Sequence, residues 1–325
     1  MITVAGEALF DVFPRPTGSD PTQRVLDAVT GGSPFNVACG LGRLGHAPAF
    51  FGGLADGPLG DQQAQILVQA GVRADAVLRK PNLAPLMLIT LAQDGQPTYN
   101  YYGQSTADVA IEEKDLDVLA GMPEILHLGS YSLVVEPIAD TLAKLVDRLP
   151  QTSLLALDPN ARPMIQPDPA VWQRRLAPLY ARANIIKLSD EDIAFLAPDK
   201  APQTYAGGLH EASGAPVFLT MGEGGVTVFA EGQSAHVAAP KVSVIDTVGA
   251  GDSFQTTLLA WASREQNKQA LGARSVSLAA SVEVAEVAVA VAALICSQKG
   301  PVMPDAEALE RAISTSLFQR IALHA

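Results

Sequence analysis

Residues 125–188 hold a repeating alternation: Ile125-Leu126-His127-Leu128, a segment from Pro137 to Leu149, Ser153-Leu154-Leu155-Ala156-Leu157, a segment from Ala170 to Ala181, and Ile185-Ile186-Lys187-Leu188. The short runs are apolar and read as buried strands. The longer segments repeat their apolar residues at helical spacing. Strands alternating with helices pair in parallel, because each helix returns the chain to the same end of the sheet, and helices then cover both faces. The fold class expected is α/β: a central, mostly parallel sheet with helices on both faces.

The rhythm extends outward. Toward the amino end, strands are expected at Ile2 to Val12 and Pro48 to Leu54, and helices at Pro34 to Leu44 and Asp61 to Ala70. Ser33 is placed to cap the first helix, Pro34 suits its first turn, and Gly45 and Gly71 stop the two helices. Toward the carboxyl end come helices at Asp190 to Leu196 and Gln203 to Ala212, a strand at Val217 to Met221, and a hairpin of Val226 to Phe229 with Ser234 to Val237. Val242 to Ile245 is β-branched and reads as a strand, followed by a helix from Phe254 to Ala262. Alternating valines from Val282 to Val291 admit a strand, but alanine density and the length from Ser275 to Ser297 favour a buried helix. Two segments break the rhythm. One is Val12 to Thr30, with weak strand character at Val25 to Val29. The other is Leu86 to Gly103, two strands joined at Gln93-Asp94-Gly95-Gln96, where Asp-Gly favours a tight turn. Both are read as one small β-sheet lid, from about residues 12–30 and 85–107, inserted into a single domain spanning 1–325.

Composition bounds the function. The 325 residues are 48% hydrophobic and 17% charged, which excludes general disorder. Lys and Arg total 22 against 34 Asp and Glu, a net charge of −12. Nucleic acid is not an expected partner, because phosphate contacts need clustered positive charge; a small anion in a locally positive pocket stays open. Cys39 and Cys296 are too few for a disulfide scaffold and lie among small apolar residues, so both are expected as buried free thiols in a reducing cytoplasm. No basic region precedes an apolar stretch at the amino end, and Glu7 interrupts the first hydrophobic run. The uncharged run Val287 to Cys296 is too short to span a bilayer, so neither a signal peptide nor a membrane partner is expected.

The stretch that carries chemistry is Asp246-Thr247-Val248-Gly249-Ala250-Gly251-Asp252-Ser253-Phe254. Two glycines around one alanine allow a tight turn that aims several N–H groups at one point before a helix, which makes an anion site. Asp252 at the same helix start is either a cap or, beside an anion, a base for a hydroxyl that attacks phosphorus. The chain has neither a Gly-x4-Gly-Lys-Ser/Thr phosphate loop nor a Gly-x-Gly-x-x-Gly turn after the first strand.

Asp246 to Phe254 resembles the carboxyl-terminal signature of the ribokinase-like, or PfkB, carbohydrate kinases. Gly31-Gly32-Ser33-Pro34-Phe35-Asn36-Val37-Ala38, continuing through Leu41-Gly42-Arg43-Leu44-Gly45, resembles their amino-terminal signature. Gly6-Glu7-Ala8-Leu9-Phe10-Asp11 and Asp158-Pro159-Asn160-Ala161-Arg162-Pro163 look most like the fructokinase branch. The resemblance covers essentially the whole chain.

It implies an ATP-dependent sugar kinase that passes the γ-phosphoryl group of MgATP to a sugar hydroxyl, most simply of fructose. Asp252 would be the base, and the amides of Gly249, Ala250 and Gly251 the anion hole. Asp11, Gly31, Gly32, Asn36, Tyr101 and Arg162 would face the sugar. Lys187, Ser189, Thr220, Gly222, Gly225 and Cys296 would border the nucleotide. Ser189 and Asp192 stand where the family carries Asn and Glu of an Asn-x-x-Glu motif. Both are shorter, so Asp192 is expected to reach Mg2+ through water. A monovalent cation such as K+, and a homodimer through the lid, are further options. Gly103 and Gln104 follow the lid tyrosines where relatives acting on 2-keto-3-deoxygluconate often place an arginine, which favours a neutral sugar. A 2-keto-3-deoxygluconate or nucleoside kinase and a non-catalytic sugar- or nucleotide-binding regulator remain the alternatives.

Overall fold

The computed structural model describes residues 1–15, 22–91, 97–300 and 302–313. The expected Gln93–Gln96 turn lies outside them. The first apolar run is two strands rather than one. Strand β1 (Ile2–Ala5) is buried on both faces, and β2 (Leu9–Pro14) belongs to a different sheet. The break falls at Gly6, whose φ of 148° no other residue adopts easily and where a Cβ would stand 2.5 Å from the Pro34 ring. Next come β3 (Leu26–Gly31), α1 (Ser33–Arg43), β4 (Ala49–Ala55), α2 (Pro58–Gln69) and β5 (Val77–Lys80). The last is a strand the sequence does not announce: Val77-Leu78-Arg79-Lys80 has only two apolar residues and pairs along β4. Strands β6 (Leu86–Leu91) and β7 (Pro97–Tyr102) follow as expected.

The alternating core is β8 (Ile125–Gly129), α3 (Ile138–Arg148), β9 (Leu154–Asp158), α4 (Pro169–Arg182), β10 (Ile185–Ser189), α5 (Asp190–Leu196), α6 (Pro202–Ser213) and β11 (Val217–Thr220). It closes with the hairpin β12 (Val226–Ala230) and β13 (Gln233–Val237), then α7 (Ala250–Ala262), α8 (Glu265–Gly272), α9 (Leu278–Cys296) and α10 (Ala306–Ala312). Among the described residues nine strands form one sheet in the order β13-β12-β11-β10-β9-β8-β1-β4-β5, parallel except for the β11-β12-β13 edge. Alternate residues of each strand feed two apolar layers. Val4, Phe50, Ala156 and Phe218 pack under α1, α2, α7 and α9. Phe51, Leu128, Leu157 and Leu219 pack under α3 to α6.

Val242 to Ile245 forms no strand. Val244 and Ile245 stand 61% and 65% exposed, and the Ile245 N–H donates to the Cys296 carbonyl at the end of α9 rather than to a strand. The valine-rich segment is the helix α9. It is long and apolar enough, by length and composition, to cross a membrane. Here it packs along α7, β12 and β13 as a core helix. Cys39 is buried, with its thiol pushed by burial up to about 12, whereas Cys296 at the end of α9 is half-buried rather than buried.

A second sheet, β3-β2-β6-β7, stands apart from the first. The chain enters it at Glu7, leaves after Gly31 for α1, β4, α2 and β5, re-enters before Leu86 and returns finally through residues 103–124 to β8. β1 and β8 are neighbours whose continuations run to opposite sides of the large sheet. Crevices at such a point, outside the carboxyl ends of parallel strands, are where α/β proteins bind ligands. The second sheet leaves from this point.

Candidate active site

Asp252 lies in the first turn of α7. Gly249 precedes the helix with φ 83°, a left-handed conformation that suits glycine. The amides of Gly251 and Asp252 have no acceptor inside the helix, as in any first turn, and that of Ala250 leans on the Thr247 carbonyl at 3.3 Å. Backbone bonds hold the approach to the turn: Ile245 N–H donates to the Cys296 carbonyl at 2.8 Å, and Asp246 accepts from the amides of Val248 and Gly300. Cys296 therefore touches this site through its carbonyl.

Ser33 Oγ donates to Asp252 Oδ1 at 2.7 Å, and Asn36 Nδ2 donates to Oδ2 at 2.8 Å. Ser33 is not the expected cap. Gly32 precedes α1 with φ 106° and no side-chain cap, and the Ser33 hydroxyl is spent on Asp252. Helices α1 and α7 approach closely because a Cβ on Gly40 would meet Thr256 Oγ1 at 2.7 Å. Gly40 and Thr256 lie one turn beyond Asn36 and Asp252, so this contact fixes the pair above it.

Gly32 is enforced, since a Cβ there would stand 2.9 Å from the Glu7 carbonyl oxygen. Gly31 lies against Asp11, whose Oδ2 would be 2.9 Å from a Cβ at that position. Asp11, Met87 and Tyr101 form one cross-strand row on a single face of the second sheet. Asp11 is pushed up to about 6, first by burial and then by the Asp252 charge, with Arg162 opposing. Asp11, Arg162 and Asp252 thus act on one another. Arg162 Nη1 donates to Asn160 Oδ1 at 2.6 Å and to the carbonyls of Asn160 and Ala161, in a loop where Asn160 has φ 40°.

A second group lies beneath the glycine turn. Lys187 Nζ would be 3.1 Å from a Cβ on Gly251, and it donates to Asp158 Oδ2 at 2.8 Å. Both side chains are buried. Burial works against the Lys187 charge, but Asp158, Asp192 and Asp252 outweigh it and hold the ammonium protonated. His127, on the same face of the sheet, is pushed down to about 3 by burial and is neutral; Gln255 of α7 lies 3.3 Å from its Nδ1. Sequence reasoning missed Ser33 as a partner of Asp252 and missed this His127–Gln255 pair. Only the presence of polar residues inside apolar runs signalled the pair.

Asp192 is spent on structure. Oδ2 accepts from the amide and hydroxyl of Ser189, each at 2.8 Å, and Oδ1 accepts from the Ala161 amide at 2.7 Å. It caps α5 and ties down the Arg162 loop. No group of three or more His, Cys, Asp or Glu among the described residues could hold a metal ion. Ser189 and Thr220 are in register at the carboxyl ends of β10 and β11. Gly222 has φ 52° beside open space, and Gly225 has φ 84° where a Cβ would strike the Val237 carbonyl at 2.1 Å. The glycines after β11 thus bring bare backbone to the same end of the sheet. A surface cavity of about 490 Å3 lined by Met1, His46 and Ser263 lies at the amino ends of the strands, away from these groups.

A large, mostly parallel sheet flanked by helices, with a small separate sheet at the carboxyl ends of its strands, is the architecture of the ribokinase-like proteins. Residues 1–308 match the model of the pfkB family carbohydrate kinases, and the chain belongs to that family. It is a phosphotransferase with an alcohol group as acceptor, similar to fructokinases. A fructokinase of Rhizobium leguminosarum bv. trifolii is 33% identical over 260 residues, 80% of this chain and 79% of that protein. Probable fructokinase-4 of Arabidopsis thaliana is 33% identical over 269 residues, 80% of this chain and 81% of its own length. The crystal structure of fructokinase with bound ATP from Xylella fastidiosa superposes with a TM-score of 0.82 at 26% identity, covering 99% of this chain and 98% of that one.

Proposed function

We propose that this chain transfers the γ-phosphoryl group of ATP to a hydroxyl of a neutral sugar, with fructose the best candidate. The observation that carries the reading is Asp252, held by Ser33 and Asn36 beside the bare amides of the α7 first turn and across from Asp11. Asp11 and the Gly31-Gly32 backbone accept and donate to the polyol, and Asp252 takes the proton from the attacking hydroxyl. The first-turn amides, with Lys187 beneath them, stabilise charge on the transferred group. Phosphoryl transfer needs such positioning and electrostatics more than covalent help. Ser189, Thr220, Gly222 and Gly225 border the nucleotide. A Mg2+ ion carried on the ATP phosphates would neutralise their charge, and Asp192, whose oxygens already accept from Ser189 and Ala161, would meet it only through water. The second sheet acts as a lid, and Tyr101 closes the sugar side against water.

A neutral substrate is favoured because the two arginines of the matching motifs, Arg162 and Arg43, are bonded within the protein. Arg162 is bonded within its own loop beside the Asp11 carboxylate, and Arg43 donates to the Met303 carbonyl. ADP release from MgATP with fructose, ribose, 2-keto-3-deoxygluconate, adenosine or no acceptor tests the assignment. Release with fructose is expected; release only with the acid or the nucleoside overturns the substrate. Asp252→Asn is expected to keep sugar binding and lower turnover by about 10²- to 10⁴-fold. Near-normal turnover removes the base assignment.

A further inference from the structure

Two carboxylates lie on two of the four chain crossings between the large sheet and the small one, the first and the last. Glu7 sits between β1 and β2 and is 1% exposed; Asp108 sits between β7 and β8 and is fully buried. The Ser132 hydroxyl donates to Glu7 Oε2, and Tyr131 Oη donates to Asp108 Oδ2 at 2.7 Å. Asp108 Oδ1 and Tyr101 Oη, both buried, have no hydrogen-bond partner among the described residues. The Tyr101 ring meets the Tyr131 ring edge-on, with centroids 5.5 Å apart, and the Thr106 hydroxyl donates to the Gly103 carbonyl at 2.8 Å. The groups facing the pair are Tyr101 from β7, Thr106 from the return crossing, and Ser130, Tyr131 and Ser132 after β8. Neither acid makes a salt bridge among the described residues.

Glu7 and Asp108 are buried beside the same two tyrosines, Tyr101 and Tyr131, and the Asp108 charge adds to what raises Glu7, so without a cation both cannot carry charge cheaply. We propose that Glu7 and Asp108 are positioning residues that hold Tyr101 over the sugar through Tyr131, and that the pair must keep a proton to do so. With the proton in place, Tyr131 stays bonded to Asp108 and braces the Tyr101 ring. When it leaves, repulsion across the two crossings loosens the small sheet against the body. Burial is the first cause that raises both acids, Glu7 to about 7 and Asp108 to about 6, so the loss falls on the alkaline side of neutrality. This rests on the sugar-kinase reading only in taking Tyr101 as a sugar contact.

The test compares wild type with Glu7→Gln, which keeps the acceptor for Ser132 and removes the titration. Sugar KM and kcat are measured from about pH 5.5 to about pH 9, with hydrogen exchange of the 86–91 and 97–102 strands in the unliganded protein. In wild type, sugar KM is expected to rise about tenfold on the alkaline limb, the effect of one pK unit of coupling, with kcat nearly constant and exchange accelerating in both strands. Glu7→Gln is expected to lose the alkaline rise in both readouts and to keep only the acid-side KM limb that Asp11 sets. Asp108→Asn, which also removes a charge, is expected to lose the alkaline rise as well if it folds. A wild-type profile with no alkaline rise, or a Glu7→Gln profile whose alkaline limb tracks wild type, overturns the proposal while leaving the kinase reading intact. If wild type phosphorylates none of the sugars, the kinase reading fails, and the exchange profile alone decides whether the acid pair holds the small sheet.

Discussion

Asp11 shows how one residue reports on its surroundings. Its carboxylate sits under Gly31 with Asp252 opposing and Arg162 supporting its charge, and the net effect raises it to about 6. A carboxyl raised in the folded state adds stability that is full below its ordinary value of 3.8 and is lost as pH rises through about 6. Function runs the other way. A sugar hydroxyl donates better to the carboxylate than to the acid, so sugar KM is expected to rise as pH falls through that value. Asp11→Asn is expected to bind sugar weakly and without this limb. A wild-type KM that stays flat between about pH 5 and about pH 7 removes Asp11 from the sugar site. The limb is opposite in sign to that of Glu7, so the two titrations separate. At this scale Asp11, Gly32, Asn36 and Asp252 stood out because they fall in stretches that resemble the motifs of the pfkB family. The roles of Ser33 and Glu7 did not, because a serine before a helix reads as a cap and a glutamate in an apolar run reads as an interruption.

Among the elements, the contact between α1 and α7 decides whether the aspartate is held. The two helices run in the same direction from the site, and Gly40 lets Thr256 approach one turn below Asn36 and Asp252. A branched side chain at Gly40 must displace Thr256 or the Met303 sulfur, 3.0 Å from the added Cβ. Gly40→Val is expected to cost about 1–3 kcal/mol in denaturant melts, the usual penalty of overpacking. It should also lower kcat, because Asp252 loses the Asn36 amide. Unchanged stability and turnover would mean that the helices part freely and that this contact does not set the site. The elements were legible where periodicity was long, as in α3, α4 and α9. Two short ones were not. Val242 to Ile245 has strand preference but is bonded to the end of α9, while Val77 to Lys80 has weak preference and pairs along β4.

In the whole molecule, the small sheet is the part whose partners matter most. Leu26 and Val29 on β3, with Tyr99 and Tyr102 on β7, are 45–59% exposed on a sheet with two unpaired edges. Such edges and apolar side chains invite pairing. A homodimer joined through the lids is expected by light scattering, and Leu26→Asp with Tyr102→Asp is expected to halve the mass. A wild-type monomer at the concentrations used for catalysis removes the dimer.

The chain by itself determined the alternation that makes a parallel sheet, the glycine turn before α7 and the residue types of the site. These depend on neighbours in sequence: periodicity, backbone freedom at Gly32 and Gly249, and an aspartate at a helix start. Only the tertiary structure decided that Ile2 to Val12 splits between two sheets, that Ser33 serves Asp252, that Asp192 is bonded to the Arg162 loop, and that Tyr131 and Ser132 serve Asp108 and Glu7. Each of these is a contact between groups tens to hundreds of residues apart, or the choice of which sheet supplies a strand's partner. Local preference carries no information about either, because hydrogen bonds and buried charge are settled by what packing brings within reach.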